Sequence, residues 1–410
     1  MTVLEEAFIR HVASWGAGRA AASMYLDVDG LRHPRWPEVL GRADALFRRA
    51  REQARRSTWD PGAALEADLG QIRTWLDSGI DRSRTRGVAV FSSAADDFFE
   101  TVELTTPVRD QIVVAAEPDV AQLCLASATS WSAIVVEVDS ERGRVLRLEP
   151  GGQAEELADF DDELGHGIDT DRELAGFEHH QEELARDHFR RVARAVIAET
   201  IRRPVSHLVL FGPGKSLEEL ERHLPRHVGD RIAGRAPVRS HAGTAELIAA
   251  ATEIVERVEE ERRSAVLATL RQRATTTGAG AVTGLGPTLG SLGDGLVAIL
   301  VVERSFEAAG GRCEDCRSLT VRARSCPRCG GPVRELENVV DAAIADAFLQ
   351  HAAVDPVAQG SLSDLGRIGA LLEPWAREGS GDSAEEGAPG AAEDAARDTE
   401  AKTSGGDRRA

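Results

Sequence analysis

The chain has 410 residues, 42% of them hydrophobic and 29% charged, and its formal net charge is −19. This length predicts two to four domains, and no apolar run approaches the roughly 20 residues that a membrane-spanning helix needs. The N-terminal segment carries Glu5, Glu6 and Arg10 where a secretory signal would be apolar. We therefore expect a cytoplasmic protein without membrane or DNA partners. The acidity also argues against non-specific coating of nucleic acid.

The first predicted unit, residues 1–129, is an α/β domain. Its predicted elements are a strand at Ser23–Val28, helices near Glu38–Arg56 and Gly62–Ser78, and strands at Gly87–Phe91, Phe98–Leu104 and Gln111–Ala115. This order predicts a mixed sheet. Cys124, which lies among apolar residues, is expected to belong to the core.

The second predicted unit, residues 130–238, begins with a hairpin. Its predicted elements are strands at Ala133–Val138 and Val145–Leu148, a long acidic loop at 155–178, a helix near Glu178–Arg203, a strand at His207–Phe211 and a helix from Ser216. The loop holds ten acidic residues against one basic residue, a net charge of −9. The second half of the long helix is basic instead, and it predicts RNA contacts by Arg190, Arg191, Arg194, Arg202 and Arg203.

The third predicted unit, residues 239–377, opens with a long helix at Thr244–Arg273. A glycine-rich stretch at Gly278–Gly295, a strand at Leu296–Val302, a helix at Leu336–Phe348 and a last element at Leu365–Leu372 follow. Residues 378–410 have no apolar periodicity and predict a disordered acidic tail. The predicted fold class is α/β (mixed α+β), with three α/β domains.

Four of the five cysteines form two Cys-x-x-Cys pairs, Cys313 with Cys316 and Cys326 with Cys329. Two such pairs separated by nine residues are the spacing of a four-thiolate zinc site. Four thiolates leave no open position for water, so we expect structural Zn²⁺ in a ribbon at 312–334 inserted in the third domain. The ribbon is rich in arginine, and Arg322, Arg324 and Arg328 are further candidate RNA contacts.

Two apparent motifs lack the spacing that their chemistry requires. Gly212-Pro213-Gly214-Lys215-Ser216 resembles the end of a phosphate-binding loop, but Val209 stands where the loop needs its first glycine. We interpret the segment as a strand-to-helix turn. His179, His180 and His188 do not show the four-residue step of a helical metal site and are expected to face solvent.

Residues 131–375 resemble the central and C-terminal domains of class 1 peptide-chain release factors and Pelota proteins. The echoes are Ala133-Ile134-Val135-Val136, Arg190-Arg191-Val192-Ala193, Leu208-Val209-Leu210-Phe211-Gly212, Gly295-Leu296-Val297 and the cysteine pairs. Ser23-Met24-Tyr25-Leu26-Asp27 and Pro107-Val108-Arg109-Asp110 resemble the bacterial branch, the bacterial archaeo-eukaryotic release factor family. The resemblance implies a factor that enters the ribosomal A site and contacts rRNA, with tRNA or an elongation factor as further candidate partners.

Release factors of this superfamily carry Gly-Gly-Gln at the tip of a central-domain loop. This chain has Gly151-Gly152-Gln153 directly after the second hairpin strand, whereas the family position corresponds to His179-His180-Gln181. An acidic loop would also be repelled by RNA phosphates. We therefore expect no catalytic residue and no efficient peptide release, as in Pelota and the hibernation factor Balon.

Three hypotheses for function remain open from the sequence. The leading one is a non-catalytic A-site binder in ribosome hibernation or rescue. A peptidyl-tRNA hydrolase using Gln153 or Gln181, and a non-ribosomal protein-interaction adaptor, are the alternatives. The net charge does not exclude the first, because the segment 155–178 and the tail together supply −14 of the −19.

Overall fold

The computed structural model describes residues 6–15, 21–56, 62–161, 174–237, 243–275 and 280–373. The predicted acidic tail and segment 162–173 of the predicted acidic loop lie outside these residues. The described part is a mixed α/β structure with four sheets, which confirms the predicted fold class. None of its helices is both long and apolar enough to cross a membrane.

The N-terminal elements match the predicted strands and helices closely. They are α1 (Glu6–Ser14), β1 (Ala21–Asp27), α2 (Trp36–Arg56), α3 (Gly62–Asp77), β2 (Gly87–Ser93), β3 (Phe98–Leu104), β4 (Gln111–Ala115) and α4 (Ala121–Ala128). The sheet order is β3-β2-β1-β4 and every pair is antiparallel, so the prediction of a mixed sheet is wrong. Two helices rather than one separate β1 from β2. Because α2 and α3 together bring the chain back to the end of β1, β2 pairs with β1 in the antiparallel direction.

The central elements form a five-stranded sheet. They are β5 (Ala133–Val138), β6 (Arg142–Glu149), β7 (Gln153–Asp161), α5 (Leu174–Arg202), β8 (His207–Phe211), α6 (Gly214–Arg222), α7 (Arg226–Gly229) and β9 (Ile232–Ala236). The order is β7-β6-β5-β8-β9, with β8 parallel to both β5 and β9. Val192 and Val196 of α5 pack on Val136 and Leu210. The predicted hairpin and the strand at 207–211 are confirmed.

The C-terminal elements form a second mixed sheet and a small ribbon. They are α8 (Thr244–Ala274), β10 (Ala281–Thr283), α9 (Leu285–Gly293), β11 (Val297–Glu303), β12 (Gly310–Cys313), β13 (Leu319–Thr320), β14 (Val333–Leu336), α10 (Val339–Leu349), β15 (Ala353–Val357) and β16 (Ile368–Leu372). The main sheet has the order β10-β16-β11-β15 and the ribbon the order β13-β12-β14. The predicted glycine-rich stretch thus contains a strand and a helix.

Helix α8 packs on two sheets. Its first half buries Leu247 and Val255 in the cluster that contains Val209 of the central sheet. Its second half buries Leu270 against Val301 of the C-terminal sheet. The helix is about 46 Å long, at 1.5 Å per residue, which is enough to cover both. Helix α8, which follows the boundary predicted at residue 238, therefore packs against both the central and the C-terminal sheets.

The N-terminal and C-terminal sheets share one apolar core. Tyr25 and Phe91 from the N-terminal sheet lie in the same buried cluster as Val340 and Ile344 of α10. Cys124 of α4 belongs to this cluster and is fully buried, as expected. A single compact unit that ends at Leu372 accordingly contains the first two predicted domains and all but the last five residues of the third, which was predicted to end at 377.

The carboxylates of Asp119 and Asp341 lie close together beside this shared core, where one glutamine side chain bonds to both. Gln111 donates through Nε2 to Asp119 (3.1 Å) and to Asp341 (3.3 Å). Burial, reinforced by the neighbouring charge of Asp341, raises the pKa of Asp119 to about 7. An unfolded chain has an Asp pKa of about 3.9, so the folded protein binds this proton more tightly.

We expect Asp119 to make stability fall as pH rises. Its contribution is fully present below about pH 4, declines by at most about 1.4 kcal/mol per pH unit, and is lost once the pH passes about 7. Urea unfolding at several pH values measures this slope, and the Asp119→Asn variant should flatten it. An identical pH dependence in the variant and the unmodified protein would contradict the assignment.

Gly212 is required by a close backbone approach at the end of β8. A Cβ at this position would lie 2.1 Å from the carbonyl oxygen of Val138. We expect Gly212→Ala to cost about 1–3 kcal/mol of unfolding free energy, measured by urea titration. Gly214→Ala is the matched control, because nothing lies within 4 Å of its Cβ position. Equal effects of the two variants would refute this role.

Candidate metal centre and basic surfaces

The four paired cysteines converge at one end of the ribbon. Their Sγ atoms all lie within 4.8 Å of one another, and the Cys313–Cys329 and Cys316–Cys326 separations are 3.4 and 3.5 Å. Tetrahedral Zn–S bonds of about 2.3 Å would place the sulfurs about 3.8 Å apart. The four thiols thus have the spacing of a tetrahedral thiolate site and could hold a metal ion.

The two Cys-x-x-Cys turns have the same backbone design. Arg317 N–H donates to the Cys313 carbonyl (3.1 Å), as Gly330 N–H donates to that of Cys326 (2.8 Å). Arg317 and Gly330 both have positive φ, +62° and +81°. The two turns share this hydrogen bond and the positive φ, so each directs its two sulfurs toward a common point. Only the second turn carries the glycine that this conformation favours.

Hydrogen bonding favours the charged form of one candidate ligand. The Ser318 hydroxyl lies 3.3 Å from Cys316 Sγ, and hydrogen bonds from Ser318 lower the pKa of Cys316 to about 6. The thiolate is the form that binds metal. Cys313 and Cys326 are buried, whereas Cys316 and Cys329 are exposed. The cluster is therefore half embedded in the protein.

Three arginines attach the ribbon to its surroundings. Arg312 forms two hydrogen bonds with Asp346 of α10, at 3.1 and 2.9 Å. Arg317 pairs with Glu117 (2.6 Å) and Arg328 with Asp294 (3.0 Å). Of the predicted RNA contacts here, Arg322 and Arg324 are exposed. Arg328 instead has a carboxylate partner within the protein.

The predicted basic face of α5 divides into two parts. Arg190, Arg191 and Arg194 are exposed on its middle turns, and Arg190 makes a surface ion pair with Asp187 (2.8 Å). Arg202 and Arg203 both donate to the buried carboxylate of Glu199, at 2.8 and 2.9 Å. The three middle arginines carry charge outward, whereas Arg202, although 64% exposed, and Arg203 neutralise a buried acid.

Arg147 of β6 is at the centre of this buried network, and sequence reasoning missed it. Its side chain is 2% exposed and contacts the carboxylates of Glu149 and Glu199. It also donates to the carbonyl of Arg203 (2.9 Å), which ties β6 to the end of α5. No sequence signal distinguishes this arginine from the others, because two of its partners, Glu199 and the carbonyl of Arg203, lie 52 and 56 residues away.

The Gly-Gly-Gln sequence forms the tight turn between β6 and β7. Gly151 and Gly152 have φ of +89° and +81°, and Glu149 pairs with Gln153 across the turn. A Cβ on Gly151 would lie 3.0 Å from Cβ of Thr105, so the turn is seated against the N-terminal sheet. A cleft of about 540 Å³ beside it is lined by residues of the N-terminal and central regions, including Arg84, Gln153 and Arg203. The turn is not the tip of a long loop.

The predicted acidic loop at 155–178 is partly wrong. Residues 153–161 form strand β7, and residues from Leu174 onward form α5, which begins earlier than predicted. The acids of β7 lie opposite arginines of β6: Asp161 faces Arg142 and Asp159 faces Arg144. Glu155 pairs with Arg203 (2.7 Å), which lowers the pKa of Glu155. Much of the acidity in this strand is therefore balanced locally.

The remaining sequence motifs have structural roles. The turn from Gly212 to Gly214 connects β8 to α6, as interpreted. His188 is buried between the rings of Phe160 and Phe189, so the expectation that it faces solvent is wrong. Its neighbours on β6 and β7 could not be inferred from helical spacing. The side chains of His179, His180 and Gln181 lie outside the described residues.

Solved structures of translation factors are similar to this chain. Archaeal translation termination factor aRF1 is 14% identical with a TM-score of 0.24, over 91% of this chain and 98% of that one. A ribosome-bound archaeal Pelota, described with ABCE1, is 16% identical with a TM-score of 0.39, over 70% and 77%. Dom34 of S. cerevisiae, described as a translation termination-like factor that interacts with Hbs1, is 9% identical with a TM-score of 0.38, over 70% and 79%.

One protein family matches part of the chain. No curated protein sequence matches the chain. The profile of the bacterial archaeo-eukaryotic release factor family 10 matches residues 118–261, a range that includes the whole central sheet, α5 and the first half of α8. The family recognised from the sequence is therefore confirmed over residues 118–261, which match bacterial archaeo-eukaryotic release factor family 10.

Proposed function

We propose that this protein is a cytoplasmic translation factor that binds the ribosomal A site, in hibernation or rescue, without efficient peptide release. The observation that carries the proposal is the family match over residues 118–261. The matched region contains the exposed arginines Arg190, Arg191 and Arg194. Guanidinium groups recognise phosphates in a bidentate manner, so we assign this surface to rRNA contacts.

The absence of efficient release follows from the position of the Gly-Gly-Gln sequence. A glutamine that positions water in the peptidyl-transferase centre must reach the end of an extended loop. Here Gln153 is the first residue of β7, and Gly151 in the preceding turn is held against Thr105. Reaching a distant ester would require the hairpin to leave the sheet and lose its pairing with β6.

The four cysteines are assigned to structural Zn²⁺ on the chemistry of the donor set. Four thiolates in two identical turns favour zinc, and a complete set of protein ligands favours a structural role. Bound metal would fix the ribbon that presents Arg322 and Arg324. These two residues are proposed as a second RNA contact, whereas Arg202, Arg203 and Arg328 already pair with carboxylates of the chain.

Cosedimentation with purified ribosomes tests the proposal. We expect the unmodified protein to pellet with ribosomes and its affinity to fall with salt, because phosphate contacts release counterions. The triple variant Arg190→Glu, Arg191→Glu, Arg194→Glu should bind at least about tenfold more weakly, with a shallower salt dependence. Reversal of Arg48, Arg49 and Arg55, which are exposed on α2 away from the matched region, is the charge-matched control.

Two results would reject the proposal. One is failure of the unmodified protein to bind ribosomes from both growing and starved cells, which would favour the adaptor hypothesis. The other is rapid release of peptide from stalled peptidyl-tRNA complexes that Gln153→Ala abolishes, which would favour the hydrolase. Equal weakening by the α2 and α5 reversals would reject only the assigned surface.

A further inference from the structure

The start of helix α6 gathers open hydrogen-bond donors at the carboxyl end of β8. The helix spans nine residues from Gly214, and its N-cap residue Pro213 provides no side-chain cap. Its first internal bond runs from the N–H of Leu217 to the carbonyl of Pro213 (3.0 Å). The N–H groups of Gly214, Lys215 and Ser216 therefore have no partner within the helix. Such a helix start favours an anion, but every helix shares this property.

The side chain of Ser216 is the independent observation. Ser216 is only 9% exposed, and no hydrogen bond is formed by its hydroxyl within the part of the chain that the structure describes. Buried hydroxyls in proteins ordinarily have a partner. Side chains of an α-helix lean toward its N-terminus, so a serine in the third position directs its hydroxyl toward the open N–H groups. The fold thus leaves a buried donor unused at the helix start.

Lys215 and Gly214 add charge and space at the same point. Lys215 is exposed and has no carboxylate partner among the described residues. An ammonium group binds phosphate as a point charge. A Cβ at Gly214 would have nothing within 4 Å, so the first N–H of the helix is open to a ligand. Glu218, exposed one turn later on the same face, opposes an anion and limits its affinity.

The turn before α6 is fixed between two neighbouring strands. The N–H of Gly212 donates to the carbonyl of Ala236 at the end of β9 (3.1 Å). A Cβ on Gly212 would lie 2.1 Å from the carbonyl oxygen of Val138, at the end of β5. Strands β5, β8 and β9 are parallel, and ligands of such sheets bind outside the carboxyl ends of the strands. The donors are therefore held in place before a ligand arrives.

We infer that the start of α6 binds a phosphate monoester. The N–H groups of Gly214, Lys215 and Ser216 and the hydroxyl of Ser216 donate to its oxygens, and the Lys215 ammonium balances their charge. A monoester offers three terminal acceptor oxygens, whereas the phosphodiester of an RNA chain offers two. The donor number therefore favours a free nucleotide or the 5′ end of an RNA. This site is separate from the proposed rRNA surfaces and does not rest on ribosome binding.

Amide NMR of the isotope-labelled full chain, titrated with inorganic phosphate at constant ionic strength, tests the site. We expect saturable shifts of the amides of Gly214, Lys215 and Ser216. The start of α9 is the matched control, because that helix also has nine residues and no side-chain cap. It lacks a basic residue in its first turn, and its Thr288 hydroxyl already donates to the carbonyl of Gly284 (2.8 Å). No saturable shift at α6, or equal shifts at both helices, would overturn the inference.

Three substitutions test the named donors in the same titration. Ser216→Ala should weaken phosphate binding about tenfold, the effect of losing a hydrogen bond to a charged group. Lys215→Met should weaken it about fivefold, as expected for one partly solvated charge. Glu218→Gln should strengthen it about twofold, because a like charge is removed. Urea unfolding checks that each variant stays folded. Affinity unchanged by both Ser216→Ala and Lys215→Met would reject the site.

Nucleotide probes separate the two sources of a monoester. Adenosine monophosphate and an RNA tetramer with a 5′-phosphate should each shift the same α6 amides, and the tighter of the two identifies the source. The same tetramer with a 5′-hydroxyl should not shift them. Equal binding of the 5′-hydroxyl tetramer would overturn the monoester assignment. These measurements contain no ribosomes, so their failure is distinct from a failure of the cosedimentation experiment.

Discussion

Replacing Arg147 by methionine is expected to lower the free energy of unfolding by about 3–5 kcal/mol, because it leaves Glu149 and Glu199 without their buried cation. The loss also removes the hydrogen bond to the carbonyl of Arg203. Urea unfolding measures the change directly. The effect should be among the largest of any single substitution in the central sheet.

A matched control and a compensating variant separate the network from arginine removal in general. Arg194→Met removes an exposed arginine of α5 and should change the unfolding free energy by less than about 0.5 kcal/mol. Adding Glu149→Gln to Arg147→Met removes the carboxylate that loses its ion-pair partner, since Glu199 keeps Arg202 and Arg203, and should recover part of the loss. If the double variant is as unstable as the sum of the two single variants, the ion network is not the cause.

Replacing Cys326 by serine is expected to abolish metal binding and unfold the ribbon. Folding and metal binding are coupled in small metal-stabilised lobes, where the binding free energy is folding free energy. Elemental analysis of freshly purified protein should give about one zinc per chain for the unmodified protein and much less for the variant. Limited proteolysis should then cleave between Cys313 and Cys329.

The fifth cysteine supplies the control for this experiment. Cys124→Ser should retain about one equivalent of zinc, since Cys124 lies in the shared core and not in the ribbon. Because Arg312 and Arg317 attach the ribbon to Asp346 and Glu117, Cys326→Ser should also lower the thermal midpoint of the main unfolding transition. Full zinc content in Cys326→Ser would disprove the four-cysteine site.

The two predictions bear differently on the proposed function. Loss of the ribbon should weaken ribosome binding if Arg322 and Arg324 contact RNA, while leaving the α5 surface in place. Loss of the Arg147 network should disturb the α5 surface, since Arg203 and Glu199 anchor the end of that helix. Measured together, the two variants report which surface contributes more of the affinity.

Sequence reasoning succeeded where a local pattern determines the result. The buried stripe of α5 and α8 repeats every three to four residues, so their existence and approximate limits were predictable. The strand at 207–211 is a short apolar run before a glycine, and its limits were predicted correctly. The cysteine pairs required only their spacing, because each turn is closed by its own backbone hydrogen bonds.

The errors concern residues whose partners are distant in the chain. Strand β7 is acidic and mostly exposed, so no apolar alternation marks it. Its backbone pairs with β6, and Leu157, Ala158 and Phe160 pack against the core of the central sheet. His188 has the surroundings of a surface residue in sequence, yet the β6–β7 hairpin covers it. Arg202 and Arg203 resemble Arg190 and Arg191 in composition, but only the first pair meets a buried glutamate.

The sequence by itself determined the fold class, the convergence of four cysteines and the family of the central region. It also showed that the net charge of −19 is concentrated in a few segments and does not describe the whole surface. The tertiary structure alone decided which arginines pair with a buried glutamate and where the Gly-Gly-Gln turn lies. The physical reason is that periodicity and spacing are local properties, whereas burial and charge pairing depend on elements that only folding brings together.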